Sequence, residues 1–105
     1  MNEQKQAAPK VTIDQIEGKI RKQYFMNAKA AFNGVPNVCE ELNNVTVCFL
    51  VLNNGFVVVG KSACASAENF EQEVGMKIAR ENAIEQVWAL EGYVLRNHLS
   101  AAKQH

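Results

Sequence analysis

Residues 45–52 are apolar or β-branched without interruption, and after Asn53-Asn54-Gly55 an apolar run resumes at Phe56 and continues to Val59. Two such runs separated by Asn-Gly chemistry read as an antiparallel β-hairpin. With Asn54-Gly55 as the loop, Leu52 pairs with Val57, Val51 with Val58 and Leu50 with Val59. Both faces of the hairpin are then apolar near its turn. An isolated two-stranded hairpin is not stable in water, so both sides need cover. The rest of the chain has to supply it.

A chain of 105 residues holds one domain, with a modest core and little apolar surface to spare. Residues 1–10 are polar and end near Pro9, and read as a disordered lead-in; residues 11–105 form the single domain. Thr12 and Gln15 stand at capping-box spacing, and Ile13, Ile16, Ile20 and Tyr24 recur at three or four residues, which predicts a first helix over residues 13–25. Between Asn27 and Asn44 the Asn-Gly, Pro-Asn and Asn-Asn steps read as a long loop holding at most a short helical turn.

From Ser66 onward the pattern is helical, with Ser66 as N-cap and Glu68, Glu71 and Glu73 at the positive end of the dipole. Phe70, Val74, Ile84, Trp88, Leu95 and Leu99 fall on one side of the wheel, and Met76, Ala79, Ala83, Val87, Leu90 and Val94 on the other. A helix with two apolar sides is sandwiched between layers. One hairpin and one short helix supply too few of them, so a second copy of the chain is the natural complement. Gly92 leaves open whether this third of the chain is one helix or two. The expected fold class is α+β: an antiparallel hairpin or small sheet packed on long C-terminal helices, with an N-terminal helix, in an intertwined homo-oligomer.

Charge names no partner. Eleven basic and eleven acidic side chains give zero net charge, and no run of five like charges occurs, which argues against nucleic-acid polymers. Cys39, Cys48 and Cys64 form no close pair and have no histidine at metal-ligand spacing, so neither a disulfide framework nor a metal site is expected. Met1 to Lys10 lacks a signal-peptide pattern and no apolar run reaches membrane-spanning length, which points to the cytosol and away from membranes.

Catalytic groups are scarce too. Cys64 precedes a helix start, where a thiolate is activated in some enzymes, but the histidines, His98 and His105, lie far along the chain. Glu81 and Glu85 are most simply a solvated helix face. The glycines build no phosphate loop, and an enzyme or a cofactor is not expected. Rare planar and polar residues remain for a binding module. Arg80 and Arg96 can offer a fork to phosphate or carboxylate, or make salt bridges with Glu73, Glu85 or Glu91; Phe70, beside Asn69, can stack on a base or serve as a core staple; Asn82 shares the side that carries Arg96.

Asn54-Gly55-Phe56, Gly60-Lys61-Ser62-Ala63-Cys64, Glu68-Asn69-Phe70, Gly75, Ile78-Ala79 and Trp88-Ala89-Leu90-Glu91-Gly92-Tyr93 stand in an order that resembles the small tailed-phage proteins of the gp forty-nine/sixty-six type, over about residues 45–99. Many members carry proline after the tryptophan where this chain has Ala89. Part of that family is similar to the first type of Thoeris anti-defence protein, a phage sponge for glycocyclic ADP-ribose signals made by TIR-domain enzymes. The resemblance implies an α+β dimer or larger homo-oligomer with pockets between protomers, no catalysis, and in some members binding of cyclic oligonucleotides. On that reading Phe70, Arg80, Asn82 and Arg96 are the ligand-binding candidates, assigned from their chemistry and position, and the ligand is a cyclic nucleotide signal in the host bacterial cytosol. The alternative is a small phage-encoded oligomer that grips a host protein.

Overall fold

The computed structural model describes residues 9–103, so the expected lead-in lies, but for Pro9 and Lys10, outside the described residues. The two apolar runs are strands β2 (Val45–Leu52) and β3 (Val57–Ala63). Alternation along β2 is strict: Thr46, Cys48, Leu50 and Leu52 are buried, while Val45, Val47, Phe49 and Val51 face the other way and are only partly covered. The turn is one residue longer than expected. The Leu52 N–H donates to the Phe56 carbonyl at 2.8 Å and the Gly55 N–H to the Leu52 carbonyl at 2.9 Å, so Asn53, Asn54 and Gly55 form a three-residue loop. Gly55 has φ +91°, the left-handed residue such loops require. The register therefore slips by one from the Asn54-Gly55 reading, to Val51 opposite Val57, Leu50 opposite Val58 and Phe49 opposite Val59.

The expected first helix is the largest correction. Its start is as read: helix α1 (Ile13–Gly18) opens on a capping box in which Thr12 Oγ1 accepts from the Gln15 N–H at 3.2 Å and Gln15 Oε1 from the Thr12 N–H at 2.9 Å. It stops after six residues, and residues 20–27 form strand β1 (Ile20–Asn27), antiparallel to β2. The sheet is thus three-stranded, in the order β1-β2-β3. Pairing jumps from Ile20–Leu52 to Lys22–Val51, a bulge that takes Arg21 out of register. Because of it Ile20 and Phe25, five apart, both join the core side, a spacing that neither alternation nor a helical period announces.

Residues 28–44 form the expected loop, with 3₁₀ turns at Ala30–Phe32 and Glu40–Asn44. Ser66 opens another such turn, Ala67–Asn69, and makes no side-chain cap bond. The long helix begins only at Gln72. Helix α2 (Gln72–Lys103) is a single 32-residue element that runs unbroken past Gly92, so the expected C-terminal helices are one. It crosses the Thr46/Leu50 face of the sheet, burying Gly75, Ala79, Ala83, Ile84 and Val87.

Glycine makes that approach possible. A Cβ on Gly60 would run into the Ala79 carbonyl and the Ala83 N–H and Cβ, so β3 and α2 meet backbone to backbone. The core is Ile16, Cys48, Leu50, Leu52, Val58, Ala79, Ala83, Ile84 and Val87, with Val11, Ile20 and Phe25 packed around it. Only one side of the expected sandwich is filled within the chain. At 1.5 Å per residue α2 is about 48 Å long, against about 26 Å for an eight-residue strand, so its last turns outrun the sheet. Val74, Ile78, Trp88, Leu90, Tyr93 and Val94 are exposed, as is Phe56 at the turn, and Tyr24, Val57 and Val59 are exposed on the open side of the sheet.

Candidate functional site

The chain forms a wide cleft at the end of the sheet where β1 stops, β2 starts and α2 begins. Its frame is Asn27. The carboxamide oxygen of Asn27 accepts from the N–H groups of Lys29 and Ala30 at 3.0 and 3.1 Å, and its Nδ2 donates to the Asn43 carbonyl at 2.9 Å. One side chain thus ties both ends of the 28–44 loop together, as asparagine in a turn does. The Ala28 N–H donates to the Val45 carbonyl at 2.9 Å, continuing the β1–β2 ladder into the loop.

The resulting concavity is about 950 Å³ and open to solvent. Phe32 and Phe70 line it with Asn33, Asn37, Asn43 and Gln72. Lys29 is its cationic group, and Lys29 Nζ lies 3.3 Å from a carboxylate oxygen of Glu40. Two phenyl rings, several carboxamides and an ammonium make a surface suited to a flat, hydrogen-bonding, partly anionic ligand. Among the described residues no set of three His, Cys, Asp or Glu side chains is grouped to hold a metal ion.

The four sequence candidates do not converge within the chain. Phe70 lines the cleft, half-buried, with its ring near Gly75 at the start of α2. Arg80 is elsewhere. Its Nη1 and Nη2 donate to both carboxylate oxygens of Glu17 at 3.0 and 2.8 Å, and its Nε donates to Gln23 at 2.7 Å. This bidentate pair joins α1, β1 and α2. Hydrogen bonding to Arg80 holds the Glu17 carboxyl below its ordinary value, and the same bond raises Arg80. The expected partners Glu73, Glu85 and Glu91 are not the ones Arg80 uses.

Asn82 takes a backbone role. Its Oδ1 accepts from the Lys61 N–H at 3.0 Å, and Gln86 Nε2 one turn on donates to the Val59 carbonyl. Both groups lie on the outer edge of β3, so two amides of α2 cap an otherwise open strand. Arg96 is exposed on the part of α2 beyond the sheet, and forms no ion pair among the described residues. Cys64 Sγ donates to the Ser66 carbonyl at 3.1 Å, and burial pushes the Cys48 thiol up. The residues that sequence reasoning missed are Asn27 and Lys29: only the turn chemistry of the loop marked them, and turn chemistry does not show which loop closes on a helix start.

A family model described as the Phage protein (N4 Gp49/phage Sf6 gene 66) family matches residues 11–99. The chain belongs to that family. The match to the N4 Gp49/phage Sf6 gene 66 proteins takes in α1, the whole sheet, the loop cleft and most of α2, and so reaches further toward the N-terminus than the motifs of residues 45–99 alone. No curated protein and no solved structure matches the chain. Among the described residues, no helix of this phage protein is long and apolar enough to cross a membrane.

Proposed function

We propose that this phage protein is an anti-defence sponge: a homo-oligomer in the host bacterial cytosol that binds a cyclic nucleotide immune signal and holds it without turnover. The glycocyclic ADP-ribose class is the first choice of ligand, with cyclic oligonucleotides as the second, and the defence opposed is of the Thoeris kind. The observation that carries the reading is the loop cleft, where Phe70 and Phe32 supply stacking surfaces beside carboxamides and Lys29. Family membership supports the phage origin. Oligomerisation is supported by the uncovered apolar side of the sheet, where Tyr24 is 56% exposed and Val59 46%.

A second reading rests on Arg80. Its fork is spent on a salt bridge with Glu17, as expected of Arg80 in an adaptor that grips a host protein through apolar surface. Calorimetric titration of the purified protein with glycocyclic ADP-ribose and with cyclic di- and trinucleotides separates the two. The sponge predicts submicromolar binding, recovery of intact ligand on heating, and loss of affinity in Phe70→Ala. Arg96→Ala tests whether a second protomer completes the site. No heat with any nucleotide, from a folded oligomer, would reject the sponge and make a host protein the partner to seek.

A further inference from the structure

The opposite end of the sheet carries a second concavity, of about 500 Å³, that shares no residue with the loop cleft. Four stretches of chain build it: the segment before α1 gives Lys10 and Val11, the end of α1 gives Lys19, the hairpin turn gives Asn53, and the last third of α2 gives Glu91, Val94, Leu95 and His98. Its size lies within the range of small-molecule sites.

We propose that this concavity binds a small organic anion, with a phosphate or carboxylate head held by Lys10, Lys19 and His98 and an apolar body resting on Val11, Val94 and Leu95. The charge count favours an anion. Two ammonium groups line the concavity against one carboxylate, Glu91, which lies 3.7 Å from Lys19 Nζ, and His98 adds an imidazole N–H as donor. The aliphatic side chains give the body of a ligand an apolar floor beside those cations. A purely inorganic ion would leave that floor unused.

The frame is fixed before any ligand arrives. The Asn53 N–H donates to the Lys19 carbonyl at 2.8 Å and Asn53 Nδ2 to the Gly18 carbonyl at 2.8 Å, which joins the hairpin turn to the end of α1. The capping box at Thr12 and Gln15 sets the direction of the segment that carries Lys10 and Val11. The backbone is thus set in place, and what a ligand has to order is the side chains of Lys10, Lys19 and His98.

The test titrates the full chain with phenyl phosphate, benzoate, inorganic phosphate and phenol, following amide resonances of residues 91–98 by two-dimensional NMR. Phenyl phosphate should bind about tenfold more tightly than inorganic phosphate or phenol alone, since head and body contribute together. Lys10→Gln and His98→Gln should each weaken it severalfold, and Glu91→Gln should strengthen it. Comparable binding of benzoate assigns the site to anionic heads in general, whereas its absence assigns it to phosphate. Resonance shifts confined to the loop cleft, or equal affinities in Lys10→Gln and Glu91→Gln, would overturn the proposal. Loss of binding at residues 91–98 leaves the cleft around Phe70 untested, and shifts confined to that cleft would favour it, so the two readings fail separately.

Discussion

Thr46 is almost wholly buried, and its hydroxyl has no hydrogen-bond partner among the described residues. It lies against Gly75, where a Cβ would stand 2.7 Å from Oγ1. A buried, unsatisfied hydroxyl costs about 1–3 kcal/mol, while an apolar group of the same shape does not. Thr46→Val should therefore raise the urea midpoint by an amount equivalent to about 1 kcal/mol; a fall would mean that the hydroxyl is bonded in solution. Glu17 makes a prediction of opposite kind. Its folded pKa lies below the ordinary 4.5 because Arg80 donates to its carboxylate, so between those two values the unfolded chain binds the extra proton and stability rises with pH. The contribution is complete at neutral pH and is lost as pH falls from about 4.5 through the folded value. Glu17→Gln should flatten this acid limb in pH-dependent melting. At neutral pH the loss should stay under about 1 kcal/mol, because the pair is partly solvated.

Between β3 and α2 the decisive contact is an absence of side chain. Gly60→Ala places a methyl into the backbone of Ala79 and Ala83, which can yield only if the whole helix lifts. Denaturant unfolding should show a loss of about 1–3 kcal/mol or more, and an unchanged midpoint would mean that α2 packs higher than described. Sequence alone does not mark Gly60, which follows the apolar run that ends at Val59. Legibility follows the same logic elsewhere. The β2 and β3 runs, the Thr12 cap and the long helix were readable because each carries a local, periodic or capping signal. β1 was not, since Ile16, Ile20 and Tyr24 fit a helical period equally well and the bulge at Arg21 erases alternation. Asn54-Gly55 suits both a two-residue and a three-residue turn, and only pairing across the hairpin decides between them. Of the candidate site, Phe70 was legible by its place at a helix start. Arg80 and Asn82 stand out in the sequence as rare groups beside apolar faces, but their partners Glu17 and Lys61 lie far away in sequence.

At the level of the molecule, one face of a three-stranded sheet is covered by α2 and the other bears Val47, Phe49, Val57, Val59 and Tyr24 toward solvent. If the proposed homo-oligomer uses this face, sedimentation should show a mass that falls on dilution, and Val59→Lys should give a monomer that keeps the far-ultraviolet spectrum of the parent. A variant of unchanged mass would move the interface to the overhanging end of α2. The sealed edge of β3 limits what any such assembly can become. A filament grown strand by strand needs two different edges, one to give and one to receive, and Asn82 and Gln86 already occupy the Lys61 N–H and the Val59 carbonyl on one of them. Edge pairing through β1 alone is self-complementary and stops at two copies. Any association by this route is therefore finite, and the chain can accumulate to high concentration without a sheet edge that propagates into fibrils.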